Sequence, residues 1–306
     1  MTSVANQINH PGIGFVGLGD MGAPMAGNLA ANLPTAAKEL GHGTLSLSVF
    51  DINLLAERVP ESAATVDSLA AIAGSSEIVF MSVPDGDSSL AVIKELLAAA
   101  DSRVQCIINL STVGLQACKQ ITDLIPPGTI DYIDAPVSGG KTGATNATIT
   151  VMWSGSEARF EQLQPLLTSF AKSVFFVGEN PGQGQALKLL NNFLSGVAMT
   201  ATSEAVRFGL HHGLDLKTLL DVVHVSTGQN TAISDKFPKR VLTETYDAGF
   251  RLALMQKDVA LYQQGVEEAG LPSNIVEVVS RYWTDGREQF PDGDFTEIFK
   301  FITPDS

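Results

Sequence analysis

The sequence predicts an α/β doubly wound domain followed by an all-α C-terminal domain. From residue 13 to about residue 178, short β-rich runs alternate with helix-like segments. This alternation is typical of βαβ units, which build a mostly parallel sheet. After Gly178 the β-like runs stop and the chain reads as helices. A length of 306 residues also suggests about two domains.

Seven β-rich runs predict the strands of the first domain. The run 78–81 reads IVFM and is apolar throughout, as expected of a strand that is buried on both faces of a sheet. Helices are therefore expected on both sides of this sheet. The predicted strands are 13–16, 47–50, 78–83, 106–109, 130–133, 149–153 and 174–177.

The domain boundary is predicted at Asn180-Pro181-Gly182, which can continue neither a strand nor a helix. Residues 1–181 would form the α/β domain, and residues 182–306 the helical domain, which starts with a long junction helix. The predicted helices of the second domain are 185–212, 215–224, 252–269, 272–285 and 296–302.

Charge and composition exclude several classes of partner. The formal net charge of -14 disfavours a nucleic-acid partner, because such binding neutralises phosphates with cations. It disfavours an anionic membrane surface for the same reason, and no apolar run is long enough to span a bilayer. We therefore expect neither a nucleic-acid nor a membrane partner.

Cysteine and histidine usage predicts a reducing compartment and no metal. Cys106 and Cys118 are the only cysteines, too few for a disulfide framework or a thiolate metal site. The five histidines show no HExxH-like spacing. The first twelve residues contain neither a basic nor an apolar leader region. A cytoplasmic location is the expectation.

A glycine-rich motif follows the first predicted strand directly and opens a helix-like segment. It reads Gly17-Leu18-Gly19-Asp20-Met21-Gly22 and has the spacing GxGxxG. In this context the first glycine permits a tight turn, and the second lets the backbone approach a pyrophosphate. The third lets the helix pack close to the strand, with its N-terminus facing the anion. The motif predicts a Rossmann-type dinucleotide-binding domain.

Asp51 ends the second predicted strand and favours NAD over NADP. A carboxylate at this position can bind both ribose hydroxyls and would repel a 2′-phosphate. Its distance from Gly22 exceeds the usual interval of about 20 residues, and residues 34–44 are interpreted as a loop insertion that explains the excess. NADP remains an alternative cofactor.

Two further loops are expected beside the bound dinucleotide. Ser82-Val83-Pro84 lies at the end of the strand predicted at 78–83, and Ser111-Thr112 follows the strand at 106–109. Ligands of open α/β sheets lie at the carboxyl ends of the strands. Both loops would therefore border the nicotinamide half of the cofactor.

The junction helix carries a polar stripe in an otherwise apolar segment. Lys188, Asn191, Asn192 and Ser195 lie on one face at helical spacing, and Thr202 continues that face. A helix that is apolar almost all round is expected to be buried, and buried polar groups need partners. Either Lys188 pairs with an acid such as Asp258, or the stripe lines a cleft where a polar ligand completes the hydrogen bonds.

Lys188 is the best-placed candidate for a general acid/base. A dinucleotide enzyme that interconverts an alcohol and a carbonyl needs a proton donor and acceptor at the oxygen. Lysine can serve if burial lowers its pKa from about 10.4 toward neutrality. The sequence contains no GxSxG elbow and no P-loop motif that would point to other chemistry.

Four blocks together resemble the β-hydroxyacid dehydrogenases, the family of 3-hydroxyisobutyrate dehydrogenase and tartronate semialdehyde reductase. They are the glycine-loop block 14–22, Asp134-Ala135-Pro136-Val137-Ser138-Gly139-Gly140, the segment 182–192, and Gln256-Lys257-Asp258. They occur in the family's order and span nearly the whole chain. The resemblance implies a Rossmann domain followed by a helical domain.

The resemblance also assigns roles to individual residues, with Lys188 as the general acid/base. The residues it places at the substrate are Ser138, Gly139, Gly140, Asn192, Phe250 and Asp258. The residues expected at the cofactor are Gly17, Leu18, Gly19, Asp20, Met21, Gly22, Asp51, Val83, Pro84, Ser88, Thr112 and Lys257.

The activity implied is hydride transfer between NAD and a small 3-hydroxy acid, with 3-hydroxyisobutyrate as the type of substrate. One alternative is an NADPH-dependent reductase of glyoxylate, succinic semialdehyde or tartronate semialdehyde. Another, of a different class, is a non-catalytic dinucleotide-binding module. The resemblance implies a homodimer or a homotetramer. The identity of the hydroxy acid or semialdehyde stays open at this point.

Overall fold

The computed structural model describes residues 11–302. The expectation about a leader concerns mainly the first ten residues and lies outside this range. The described chain divides into two compact units, one ending at Lys188 and the other beginning at Leu189. The predicted fold class, an α/β doubly wound domain followed by helices, is confirmed.

The first unit is built on a single sheet, which has nine strands within residues 11–302 and the order β3-β2-β1-β4-β5-β6-β8-β7, with β9 beside β8. The pairs from β3 to β6 are parallel, whereas β8 runs antiparallel to β6 and β7. Its strands are β1 Gly12–Val16, β2 Ser46–Phe50, β3 Ala64–Thr65, β4 Ile78–Met81, β5 Cys106–Asn109, β6 Asp131–Asp134, β7 Val137–Ser138, β8 Ile149–Ser154 and β9 Ala171–Gly178.

Helices cover both faces of this sheet, as the apolar strands require. Phe15 and Phe80 point into one apolar cluster, while the neighbouring Val16 and Val79 point into the other. Successive strand residues face opposite sides, so the central strands are buried on both. The helices that connect the strands are α1 Gly22–Glu39, α2 Leu69–Ser75, α3 Gly86–Ala98, α4 Leu115–Leu124, α5 Gly140–Thr145 and α6 Glu157–Thr168.

The order of strands creates a switch point at β1, which pairs with β2 on one side and with β4 on the other. The connections leave β1 and β4 in opposite directions along the sheet, so a crevice opens outside their carboxyl ends. The glycine loop follows β1, and Ser82-Val83-Pro84 follows β4. Both predicted cofactor segments therefore lie where this fold binds ligands.

The predicted loop insertion at 34–44 is wrong in its first half, because α1 continues to Glu39 and contains Pro34. Leu33, Ala36 and Ala37 are buried along this extension. Proline costs about 3 kcal/mol inside a helix, and burial of the apolar face offsets that cost. The extra length before β2 is therefore largely helix.

The second unit is helical, with an apolar core around Trp283, Phe237 and Met199. A π-helical segment, Ala232–Val241, lies where no helix was predicted. Its start is capped by Asn230, whose Oδ1 accepts hydrogen bonds from the N–H groups of Ala232 and Ile233. The helices are α7 Gln183–His211, which begins in the first unit, α8 Leu216–His224, α9 Leu252–Glu268, α10 Asn274–Gln289 and α11 Ile298–Phe301.

The expectation that α7 is buried all round is wrong. Leu190, Leu194 and Phe208 are 46%, 58% and 69% exposed. The polar Lys188 and Asn192 are buried, at 7% and 6%, together with the apolar Leu189, Met199 and Val206. Composition alone could not show which residues of α7 are buried, because that depends on which face of the helix the rest of the chain covers.

Neither cysteine is suited to thiolate chemistry. Cys106 and Cys118 are both buried free thiols. Burial raises the pKa of Cys106 to about 12, and it also raises the pKa of Cys118 above its usual range. Within residues 11–302, no cluster of three or more His, Cys, Asp or Glu side chains could hold a metal ion. No helix in that range is long and apolar enough to cross a membrane.

Candidate active site

The glycine loop has the geometry of a pyrophosphate cradle. Gly17 has φ +91°, and a Cβ there would lie 2.2 Å from the carbonyl oxygen of Ser82. A Cβ on Gly22 would lie 1.9 Å from the carbonyl oxygen of Gly17. A Cβ on Gly19 would meet no atom within 4 Å. The protein itself therefore requires glycine at positions 17 and 22, whereas position 19 leaves open space at the helix N-terminus.

Asp51 is joined to the glycine loop, as expected for a ribose-binding carboxylate. Its Oδ2 accepts a hydrogen bond from the backbone N–H of Leu18 at 2.6 Å, and its Oδ1 accepts one from Asn53 at 2.7 Å. A carboxylate oxygen has room for a second donor. The carboxylate is therefore oriented by the backbone and can still accept ribose hydroxyls.

A charged cluster at the edge of the loop was missed by the sequence reasoning. Arg58 donates to the carbonyl oxygen of Leu18 and to Oδ1 of Asp20, both at 3.1 Å. The Nζ atom of Lys141 lies 3.9 Å from the same Asp20 oxygen. These two cations lie beside the position expected for the cofactor phosphates. No spacing rule links residues 20, 58 and 141, so the sequence offered no signal for this cluster.

The loops after β4 and β5 are joined by a hydrogen bond from the Val83 N–H to Oγ of Ser111 at 2.9 Å. Ser111 is held in turn by its own N–H, which donates to Oδ1 of Asn109 at 3.0 Å. The two predicted nicotinamide loops, with Val83, Pro84 and Thr112, therefore lie side by side. Ser88 lies in the first turn of α3, where its N–H donates to the capping Asp85 carboxylate at 2.8 Å.

Ser138-Gly139-Gly140 forms a tight turn between β7 and α5. Gly139 and Gly140 have φ of 139° and 63°, values that side-chain-bearing residues rarely adopt. The turn opens α5 at Gly140, so its backbone N–H groups precede a helix. Asn28 of α1 donates to the Ala144 carbonyl of α5 at 2.8 Å. A hydroxyl and N–H groups at such a turn can bind a carboxylate.

Asp134, at the end of β6, anchors the first turn of α7. Its carboxylate accepts from the backbone N–H groups of Gly182 at 3.1 Å and Gln185 at 2.9 Å. It also accepts from Oγ of Ser154 at 3.1 Å. Burial raises the pKa of the Asp134 carboxyl, and these hydrogen bonds oppose that shift. The helix that carries Lys188 is therefore anchored to the sheet at its start.

Gln185 extends this anchor to the Thr112 loop. Its side-chain Nε2 donates to Oδ1 of Asp134 at 2.5 Å and to the Ser111 carbonyl at 3.0 Å. Its Oε1 accepts from the N–H groups of Val113 at 2.8 Å and Gly114 at 3.1 Å. The sequence reasoning had assigned no role to Gln185, although it lies only three residues before Lys188.

In the second unit the structure brings three predicted residues together. Asn192 donates from Nδ2 to Oδ2 of Asp258 at 2.6 Å, and Lys257 Nζ lies 3.4 Å from Oδ1 of the same carboxylate. Asn191 donates to Oδ1 of Asn192 at 3.0 Å. Asp258 is 2% exposed, so this carboxylate holds Asn192 in a fixed orientation.

Phe250 packs against the segment that follows α10 in the helical unit. Its ring packs edge-on against Phe295 at 5.8 Å, and its backbone N–H donates to Oδ2 of Asp294 at 3.2 Å. The neighbouring Gly249 N–H donates to the same oxygen at 2.9 Å. The Asp294 carboxylate therefore fixes the backbone that carries Phe250, and the substrate role of Phe250 stays a prediction.

The glycine loop at the switch point, the oriented Asp51 and the paired loops define an NAD(P)-binding oxidoreductase. Residues 12–178 match the family model described as the NAD binding domain of 6-phosphogluconate dehydrogenase. Residues 182–302 match the model described as NAD-binding of NADP-dependent 3-hydroxyisobutyrate dehydrogenase. The chain belongs to the β-hydroxyacid dehydrogenase family and is an NAD(P)-dependent hydroxyacid dehydrogenase.

Similar proteins support this assignment over most of the chain. The sequence is 32% identical to 2-(hydroxymethyl)glutarate dehydrogenase from Eubacterium barkeri, covering 90% of this chain and 89% of that one. It is 31% identical to 2-hydroxy-3-oxopropionate reductase from Escherichia coli, covering 85% of each. The structure of a Mycobacterium tuberculosis 3-hydroxyisobutyrate dehydrogenase with L-serine matches with a TM-score of 0.84 and 27% identity, covering 95% of this chain and 99% of that one.

Proposed function

We propose that this enzyme oxidises a small 3-hydroxy acid with NAD and that Lys188 is its general acid/base. The observation that carries the proposal is a lysine side chain only 7% exposed, three residues after the anchored Gln185. A charged group is rarely buried without a functional or structural partner. The similarity to dehydrogenases and reductases of hydroxy acids supports the same reaction class.

The substrate carboxylate is proposed to bind at Ser138, Gly139 and Gly140, through a hydroxyl and backbone N–H groups. The substrate hydroxyl would then donate its proton to neutral Lys188 as the alcohol is oxidised. In the reverse direction, protonated Lys188 returns a proton to the carbonyl oxygen. When bound, the cofactor supplies the hydride acceptor or donor. The protein's contribution is to orient the groups and to hold the proton.

Asn192 is proposed to bind the substrate, because it lies one helical turn after Lys188 on α7. The Asn192 amide donates to Asp258. This hydrogen bond orients the amide for contact with the substrate. Asp258 is proposed to lie at the substrate beside Asn192, and Lys257 is proposed to bind the cofactor. Phe250 is proposed to line the substrate site.

The proposal is tested by screening substrates. Initial rates with NAD should be measured for 3-hydroxyisobutyrate, 3-hydroxypropionate, serine, glycerate, threonate and 4-hydroxybutyrate. At least one 3-hydroxy acid should be oxidised well above background. Reduction of glyoxylate, succinic semialdehyde and tartronate semialdehyde with NADPH tests the competing reductase, which the similarity to 2-hydroxy-3-oxopropionate reductase favours. NAD(P) binding without turnover of any compound would point to the non-catalytic module.

Replacing Asp51 by asparagine should lower the preference for NADH over NADPH by about tenfold or more. Repulsion between the Asp51 carboxylate and the 2′-phosphate of NADPH at about 4 Å would weaken NADPH binding by on the order of 1–4 kcal/mol. Each 1.4 kcal/mol corresponds to about tenfold in affinity. Asparagine keeps one acceptor oxygen for the loop. The measurement is the ratio of kcat/KM for the two cofactors. Asp101→Asn, at an exposed position after α3, is the control, and an unchanged ratio in Asp51→Asn would contradict the assigned role.

We also propose that the enzyme is a homodimer or a homotetramer. The exposed Leu190, Leu194 and Phe208 side chains along α7 support an interface between copies, since apolar patches mark association sites. Size-exclusion chromatography with light scattering should give a mass above the monomer. Leu194→Glu should reduce that mass, whereas Leu271→Glu, at a similarly exposed leucine, should not. A monomeric wild type would refute the interface.

The boundary between residues 181 and 182 is proposed to separate the cofactor domain from the helical domain. The two family models meet at this boundary, since one ends at 178 and the other begins at 182. A cytoplasmic location is proposed as well, and the two buried free thiols support a reducing compartment.

A further inference from the structure

The side chain of Gln185 satisfies its full hydrogen-bonding capacity inside the first unit. It is fully buried, at 0% exposure. Its Oε1 accepts two backbone N–H groups, from Val113 and Gly114. Its Nε2 donates to the Ser111 carbonyl and to the Asp134 carboxylate. An amide has two donors and two acceptor sites, so no group of this side chain is left over.

The partners of Gln185 allow only one orientation of its amide, and the amide matches all of them. The oxygen must face two N–H donors, and the nitrogen must face a carbonyl and a carboxylate. Glutamate at position 185 would place an oxygen against the Ser111 carbonyl and against Oδ1 of Asp134. Asparagine would be one methylene too short to span the same partners. Glutamine therefore matches this site in both length and hydrogen-bonding pattern.

The two segments joined by Gln185 are the two that bear on the chemistry. One is the turn from Ser111 to Gly114, which contains Thr112. The other is the first turn of α7, where Lys188 follows Gln185 by three residues, or about 4.5 Å along the helix axis. Residues three apart lie on neighbouring positions of one helix face. Rotation or sliding of this turn would therefore displace the Lys188 ammonium.

Asp134 completes the link from the sheet side. The first N–H groups of a helix have no partner within the helix, and here the Asp134 carboxylate accepts two of them, from Gly182 and Gln185. Oγ of Ser154 bridges Gly184 and Asp134, because it accepts the Gly184 N–H at 2.9 Å and donates to the Asp134 carboxylate. The start of α7 is therefore held both by its backbone and by a side chain.

We propose that Gln185, held by Asp134, is a positioning residue that sets Lys188 and the Thr112 turn at fixed places relative to each other. The inference rests on the proposed role of Lys188. Gln185 contacts neither substrate nor cofactor in this scheme. It acts through the geometry of the first turn of α7, where a displacement of about 1 Å can cost about 100-fold in rate.

The test compares Gln185→Glu, Asp134→Asn and the double variant. Gln185→Glu places two oxygens against each other, and Asp134→Asn places two N–H donors against each other. In the double variant the new amide nitrogen at position 134 can donate to the new carboxylate at position 185. We expect each single variant to lower kcat by about 100-fold and the double variant to recover at least about tenfold of it. Gln183→Glu is the control, since Gln183 is exposed and its side-chain oxygen, which glutamate keeps, accepts from the Asn180 N–H.

Two readouts separate positioning from simple loss of stability. The first is kcat per folded molecule, with the folded fraction taken from circular dichroism well below the Tm. The second is the titration of Lys188 in the cofactor-free protein, followed by NMR of ¹³C-labelled lysines and assigned with Lys188→Ala. Because Gln185→Glu also adds a negative charge near Lys188, the titration is compared in uncharged variants. Positioning predicts that it moves in Gln185→Leu and stays unchanged in Gln183→Leu.

A folded Gln185→Glu variant with wild-type kcat and wild-type Lys188 titration would overturn the proposal. So would a loss of activity that follows the folded fraction alone. Should Gln185→Glu not fold, Asp134→Asn opposes the same Gln185 amide from the sheet side. A folded Asp134→Asn variant with wild-type kcat and a wild-type Lys188 titration would equally count against positioning. An active Lys188→Ala enzyme would instead refute the proposed function, so the two failures are distinguishable.

Discussion

Lys188→Ala is expected to lower kcat by about 10²- to 10⁴-fold, the usual contribution of a general acid/base. The lysine side chain is only 7% exposed, and its removal deletes the proposed proton carrier from α7. Alanine retains the helical conformation and removes the side chain beyond Cβ, including the amine. NADH binding, measured by fluorescence titration, should change little, because the glycine loop and Asp51 are untouched.

Lys188→Arg distinguishes proton transfer from simple charge. Arginine keeps a cation at this position but cannot be deprotonated in a protein, so it should be as inactive as alanine. Lys119→Ala is the control, since Lys119 is 73% exposed and pairs with Asp123 one turn away. Full activity of Lys188→Ala, or wild-type activity of Lys188→Arg, would exclude Lys188 as the general acid/base.

Gly22→Ala and Gly19→Ala are expected to abolish or weaken cofactor binding for different reasons. A Cβ at position 22 would lie 1.9 Å from the Gly17 carbonyl oxygen, so α1 must shift, at a cost of about 1–3 kcal/mol in stability. A Cβ at position 19 meets no protein atom within 4 Å but would occupy the approach of the pyrophosphate. Gly19→Ala should therefore keep the Tm of the cofactor-free protein.

The measurements are the Tm without cofactor and the Kd for NADH. Gly22→Ala should change both, whereas Gly19→Ala should raise the Kd by about 10- to 100-fold at unchanged Tm, since a clash of 1–3 kcal/mol corresponds to that range. Gly27→Ala is the matched control: a Cβ there also meets no atom within 4 Å. It should stabilise α1 by about 0.5–1 kcal/mol and leave the Kd unchanged. Wild-type affinity in Gly19→Ala would contradict the assigned pyrophosphate site.

Much of the fold could be predicted because its signals are local. The apolar run at 78–81 and the GxGxxG spacing at 17–22 depend on residues within one strand or one turn, and both correspond to elements of the structure. The helical extension past Pro34 could not be predicted, because burial of Leu33, Ala36 and Ala37 decides it. The π-helical segment at Ala232–Val241 was missed because its proline and charged residues resemble a loop.

Some residues of the candidate site could likewise be predicted from local sequence signals, whereas others could not. Asp51 and the glycine loop were identified from the end of a strand and the start of a helix, and the structure joins them through Leu18. Arg58 and Lys141 were missed because each looks like an ordinary surface cation until the loop is folded beside it. For Lys188, the sequence indicated a polar group on an apolar helix, and the structure adds its burial.

By itself, the sequence determined the cofactor loop, the class of the fold and the candidate acid/base, since these depend on short-range spacing and on helix and strand periodicity. Only the tertiary structure revealed how the first turn of α7 is held. Gln185 meets Asp134 and Ser111 across separations of 51 and 74 residues. Such contacts depend on the order of strands in the sheet, and no local pattern encodes that order.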